Sequence, residues 1–168
     1  MKIWFAAALL LMAPAQAFAE GEPLPPPPVP KTKAASNDIS GRWLYRSVQN
    51  NPDFDATPES LRLAVAVLDI KPFKGKRFEG TLTSAYWTHR VEGEVKGNNF
   101  TMRAFPGDHN TQGWFYDYVG SFAPQWEGSP DQLRTFTGSV RRATAHAYRL
   151  GGVSEAGATY SFYGVKQP

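Results

Sequence analysis

Tyr118-Val119-Gly120-Ser121-Phe122 sets a pattern that repeats along this chain. A large apolar residue, a spacer, a glycine, a spacer and a second apolar residue recur as Phe78-Glu79-Gly80-Thr81-Leu82, Val91-Glu92-Gly93-Glu94-Val95 and Phe136-Thr137-Gly138-Ser139-Val140. Phe162-Tyr163-Gly164 is a shortened copy. Residues i, i+2 and i+4 share one face of a strand. Each glycine therefore sits mid-strand among bulky neighbours on their own face. Glycine there weakens an ordinary strand and requires a reason. Sharp coiling of a sheet that closes on itself is one. The pattern favours a barrel, although spacing alone also admits a sandwich.

Working outward, residues 40–49, 62–72, 76–84, 88–96, 99–105, 115–122, 133–142 and 158–166 read as short strands. Lys74-Gly75-Lys76 and Gly97-Asn98-Asn99 read as hairpin turns. Thr57-Pro58-Glu59 is a helix start signal, enough to cap one short turn. The expected fold class is all-β: an antiparallel up-and-down barrel of about eight strands.

The opening Ile39-Ser40-Gly41-Arg42-Trp43 resembles the Gly-x-Trp start of the first strand in the calycin superfamily, which includes lipocalins, avidins and fatty-acid-binding proteins. The ending Tyr160-Ser161-Phe162-Tyr163-Gly164-Val165-Lys166 is similar in style to the last strand of avidin-like barrels. The resemblance implies that Trp43 closes one end of the barrel. It also implies an arginine over that tryptophan from a late strand, with Arg141, Arg142 and Arg149 as candidates. No polar set matches the biotin site of avidins.

The chain is 168 residues long and begins with a positive Lys2, an apolar run from Ile3 to Ala13, and Ala17-Phe18-Ala19. These are the three parts of a secretory signal peptide over residues 1–19. The run is short for a bilayer span, which needs about 20 residues. Residues 21–30 hold six prolines. Residues 20–37 then read as a Pro-rich disordered linker, with a polyproline II stretch acting as a spacer or as a docking peptide. The barrel domain is expected over 38–168. Export would place it in the periplasm or outside the cell, after cleavage near Ala19.

There is no cysteine. That excludes disulfides, cysteine-ligated zinc, iron–sulfur clusters and a cysteine nucleophile. The net charge of +3 is scattered, with no basic patch for nucleic acid. An outer-membrane barrel needs a lipid-facing apolar band on every strand. The strand at 88–96 instead alternates Val91, Gly93, Val95 against Glu92, Glu94, Lys96.

The three histidines, His89, His109 and His146, show no metal-ligand spacing. His89 reads as a surface or mouth residue. Asp108-His109 reads as a solvated turn. Glu92 and Glu94 share one strand face and read as solvated. No nucleophile elbow or phosphate loop is present. The remaining signal is aromatic: Trp87, Trp114, Tyr116, Tyr118 and Trp126 concentrate around two segments. Such rings give stiff, flat contact area for a ligand at a barrel mouth, or fill a core.

The sequence points first to non-catalytic binding, of a small apolar or amphipathic ligand in the barrel or of a protein partner at its rim or Pro-rich segment. The candidate binding residues are Trp87, His89, Arg103, Trp114, Tyr116, Tyr118 and Trp126. Gly41, Trp43, Gly80, Gly93, Gly120, Gly138 and Gly164 are the structural set. No cofactor, metal or catalytic residue is assigned, and no membrane span. An isomerase- or cyclase-type enzyme on the same scaffold would use Asp117, taken to face the interior, with His89, Arg103 and His146. A structural or assembly role through loops and stalk is the third reading.

Overall fold

The computed structural model describes residues 31–33, 38–129, 131–147 and 152–168. The residues read as a signal peptide and most of those read as a linker lie outside these residues. Eight alternating segments form eight strands: β1 (Gly41–Gln49), β2 (Arg62–Ile70), β3 (Arg77–Thr83), β4 (Thr88–Lys96), β5 (Asn99–Pro106), β6 (Tyr116–Phe122), β7 (Thr135–Arg142) and β8 (Thr159–Lys166). Each pairs antiparallel with its neighbours in sequence, and β8 pairs with β1 to close the barrel. Closure removes the sandwich alternative and is compatible with a calycin-like form. The strands fall where the alternation puts them, within a residue or two. One short helix, α1 (Pro58–Leu61), is capped by Thr57, whose Oγ1 accepts from Ser60 N at 3.2 Å.

Gly97 opens the two-residue turn between β4 and β5 with φ +60°, the conformation that a tight hairpin asks of its first residue.

The mid-strand glycines receive aromatic rings from the neighbouring strand. Phe78 is paired with Gly93, Phe100 with Gly120, Phe136 with Gly164 and Phe162 with Gly138. A Cβ on Gly93 would lie 2.2 Å from Cζ of Phe78, and one on Gly120 would lie 2.5 Å from Cζ of Phe100. Gly80 plays the same part for Ile70. A mid-strand glycine costs about 0.5–1 kcal/mol against alanine. Burying a phenylalanine contributes about 1.5–3 kcal/mol, so each pair is net stabilising. Phe100, Phe122, Phe136 and Phe162 thereby fill one half of the barrel with rings in edge and tilted contact.

Trp43 closes that end. It is fully buried, donates from Nε1 to the Ile39 carbonyl at 2.8 Å, and packs on Phe136 with centroids 4.7 Å apart. The cation over it is Arg134, with Cζ 5.5 Å from the ring centroid, joined by Lys166 at 5.7 Å. This corrects the expected candidates. Arg141 is exposed on the outside of β7, and Arg142 ends β7 at the opposite mouth. A strand rises about 3.4 Å per residue, so neither can reach back. Arg149 lies outside the described residues.

Below the closed end, Thr32–Lys33 pairs with Gln125–Trp126, so part of the segment read as linker touches the β6–β7 connection. Among the described residues, no helix is long and apolar enough to cross a membrane. The outer face of β4 carries Arg90, Glu92, Glu94 and Lys96, all exposed.

Candidate binding cavity at the open end

The other half of the barrel is not filled. Inward positions there carry smaller or polar residues: Ser47 on β1, Ala64 on β2, Tyr116 and Tyr118 on β6, and Arg142 on β7. They leave a cavity of about 200 Å³. Trp87, before β4, and Trp114, before β6, form its rim together with His89, His146 and Tyr160.

Alternation aims His89 inward, on the same face as Val91, Gly93 and Val95. It is 2 % exposed, so it belongs to the cavity wall and not to the outer surface. Its ring meets Trp87 edge-on at 5.1 Å and Tyr116 at 5.5 Å. Nδ1 lies 3.1 Å from the Phe105 carbonyl oxygen. A carbonyl only accepts, so Nδ1 carries the proton and Nε2 is the acceptor of the neutral ring. Burial holds the His89 pKa below the usual histidine value, against the Phe105 bond and the nearby Asp108 carboxylate.

Asp108 has a different role from that of a solvated turn. Its carboxylate accepts from Thr88 N at 2.6 Å, and from Asn110 N and Thr111 N at 2.9 and 3.1 Å. It caps the 3-10 turn His109–Thr111 and ties the β5–β6 loop to the start of β4. Burial raises its pKa, but these hydrogen bonds outweigh that and hold it below the ordinary value. Thr111, fully buried, accepts from Gly107 N and Asp108 N and donates to the Thr88 carbonyl at 3.0 Å. The rim carrying Trp87 and Trp114 is thus fixed by backbone hydrogen bonds. His109 takes no part in the cavity.

His146 reaches the cavity from the β7–β8 connection, where His146–Ala147 pairs with Val153–Ser154. It stacks on Trp114 at 4.2 Å, and its Nε2 lies 3.3 Å from the Tyr116 hydroxyl. Burial lowers its pKa, and Arg142 lowers it further. Arg142 is 3 % exposed, donates to the Glu155 carbonyl at 3.1 Å and lies over Tyr160 at 5.3 Å. Tyr45 and Tyr118 form the floor, hydrogen-bonded to each other, with Ser47 bonded to Tyr45. Burial pushes the Tyr45 phenol up to about 12 and Tyr118 well above its ordinary value, so both stay neutral.

The structure thus brings together five of the seven candidate binding residues: Trp87, His89, Trp114, Tyr116 and Tyr118. Arg103 and Trp126 stand elsewhere. Arg103 points outward and pairs with Asp117 at 2.6 Å, which also corrects the expected inward Asp117. The reason is parity: Met102 and Ala104 face inward, as do Tyr116 and Tyr118, so the residues between them face out. Trp126 is exposed beside Thr32 at the closed end. Glu92 stays outside, paired with Arg90. The sequence reading missed Tyr45, Ser47, Arg142 and Tyr160 in the cavity. Parity with Phe136, Gly138 and Val140 was the signal that places Arg142 inside.

The barrel wall is split beside the cavity. β2 and β3 pair only from Val67–Thr83 to Ile70–Gly80, and the first half of β2 has no β3 partner among the described residues. Leu63, Ala64 and Trp87 line both the cavity and the open outer groove at this split.

No cluster of metal-ligating side chains is present among the described residues. The chain matches no protein-family model, no curated protein and no solved structure.

Proposed function

We propose that this chain is an exported, calycin-like, non-catalytic binding protein that holds a small amphipathic ligand in the open end of its barrel. The observation that carries this is the division of the interior. One half is packed solid with phenylalanine rings, and the other keeps about 200 Å³ lined by Trp87, Trp114, Tyr116 and Tyr118. Residues that only filled a core would leave no such space, because interiors pack to crystal density. The Gly41-x-Trp43 start, with Trp43 closing one end under a cation, supports the calycin-like reading. The signal-like residues 1–19 support export.

Titration with phenol, followed by NMR of the tryptophan indole N–H signals, tests the binding reading. Trp87 and Trp114 are expected to shift while Trp43 and Trp126 stay still. Unmoved Trp87 and Trp114 signals at saturating phenol would refute it.

The enzyme reading keeps His89 and His146 but loses Arg103 and Asp117, which pair on the outer surface. The partner reading has one observation in its favour. Leu44, Val65 and Tyr86 are exposed beside the split wall, where they give an apolar contact surface.

A further inference from the structure

The cavity's charge and hydrogen-bonding groups define a narrower ligand class than its size alone. This step rests on the binding reading above. A cavity of about 150 Å³ admits benzene, so about 200 Å³ has room for one substituted ring. The flat walls come from Trp87, Trp114 and Tyr116. Arg142 supplies a guanidinium that stays charged at any relevant pH. No carboxylate lines the cavity among the described residues, and Tyr45 and Tyr118 are neutral phenols. The electrostatic bias is therefore positive, favouring an anion and opposing a cation.

His89 adds a second polar contact of opposite sense. Its Nδ1 is committed to the Phe105 carbonyl, and its Nε2 makes no hydrogen bond within the described residues. A neutral imidazole nitrogen in that position asks for a donor, such as a hydroxyl. The two groups stand on β4 and β7, on either side of β6 in the barrel wall. Arg142 is the register partner of Tyr116, and Tyr116 in turn meets the His89 ring at 5.5 Å. An acceptor-seeking group and a donor-seeking group thus flank one aromatic slot.

We infer that the cavity takes a single-ring hydroxylated aromatic acid, its carboxylate on Arg142 and its hydroxyl on Nε2 of His89. A carboxylate suits the planar guanidinium fork, and the ring lies against Trp87 and Trp114.

The test is calorimetric titration of the full chain at pH 7.5 with 4-hydroxybenzoate, benzoate, phenol and tyramine. 4-Hydroxybenzoate is expected to bind at least about tenfold more tightly than phenol, and tyramine more weakly than either. Arg142→Gln should erase the preference for 4-hydroxybenzoate over phenol, and Arg142→Lys should keep part of it. His89→Phe should erase the preference for 4-hydroxybenzoate over benzoate. Each ratio is read within one variant, so a general loss of stability does not imitate the result. Equal binding of phenol, 4-hydroxybenzoate and tyramine would overturn this ligand class while leaving a ring-binding cavity in place. Failure of all four to bind would overturn both readings.

Discussion

Gly164→Ala probes whether aromatic rings occupy the places where glycine side chains would stand. A Cβ at position 164 would fall 2.1 Å from Cζ, 2.3 Å from Cε2 and 2.7 Å from Cε1 of Phe136. Carbon atoms in contact prefer about 3.5–4.0 Å, so the ring would have to retreat by more than an ångström. It has nowhere to go: Trp43, Phe100 and Phe162 stand 4.7, 5.3 and 5.9 Å away, centroid to centroid. Overpacking of this kind costs about 1–3 kcal/mol. For a domain of this size that lowers Tm by roughly 3–5 °C per kcal/mol. The three nearest atoms all belong to the side chain of Phe136, so shortening it should relieve the clash. Phe136→Leu alone should cost about 1–2 kcal/mol through the space it leaves. The double variant should then be more stable than the sum of the two by about 1–2 kcal/mol. Gly138→Ala with Phe162→Leu is the control. There the first clash is with the Val119 carbonyl oxygen at 2.1 Å, which is backbone of the paired strand, so no such rescue is expected. Urea denaturation of all variants gives the cycle. Additivity at positions 164 and 136 within about 0.5 kcal/mol, or a Gly164→Ala variant as stable as the parent, would refute ring-over-glycine packing.

Other consequences follow from the open end. Thr111→Val removes an acceptor shared by Gly107 and Asp108 and a donor to Thr88, and should destabilise by about 1–3 kcal/mol in the same urea assay. Stability should fall on acidification. Burial lowers the folded pKa of His89 and His146, so the unfolded chain binds more protons as pH drops below about 6.5. The contribution is complete above that value and is lost as pH falls through the folded pKa values; the groups acting on the pair are Asp108 and Arg142. Urea midpoints at pH 7.5 and 5.5 check the sign, and a midpoint higher at pH 5.5 would contradict it. Asp117→Asn breaks an exposed pair with Arg103 and should change stability by less than about 1 kcal/mol, with phenol-induced shifts at Trp87 and Trp114 unchanged.

The barrel was legible because its governing rule is local. Glycine recurring on the apolar face marks the strands and their inward side, and the eight strands appear where that alternation puts them. The partners of the glycines were not legible. Which phenylalanine crosses to which glycine depends on register, and register is a property of two strands together. The arginine over Trp43 failed for a similar reason. A late-strand arginine was expected, but the arginine over Trp43 is Arg134, just before β7, while Arg142 emerges at the mouth. Aromatic clustering found five cavity residues and misplaced Trp126, because nearness in sequence to β6 says nothing about which end of the barrel a loop occupies.

The two halves of the interior follow from one choice made at each inward position. In the closed half, glycine faces phenylalanine, so each ring lies over the neighbouring strand and the rings pack together beneath Trp43. In the open half, Ser47 and Ala64 are small yet no phenylalanine crosses to cover them. Filling that space would have been simple in sequence terms, since the glycine–phenylalanine device was already used four times in the same barrel. A chain without disulfides depends on packing for its stability, so leaving about 200 Å³ open forgoes stabilisation it could have had. The rim is also anchored by Asp108 and Thr111, although an unused mouth would need no fixed geometry. Placing a buried arginine and a buried histidine there adds a desolvation cost that packing alone does not explain. Conceded stability, fixed rim and buried polar groups coincide at one end of one barrel, and the binding function proposed above would account for all three together.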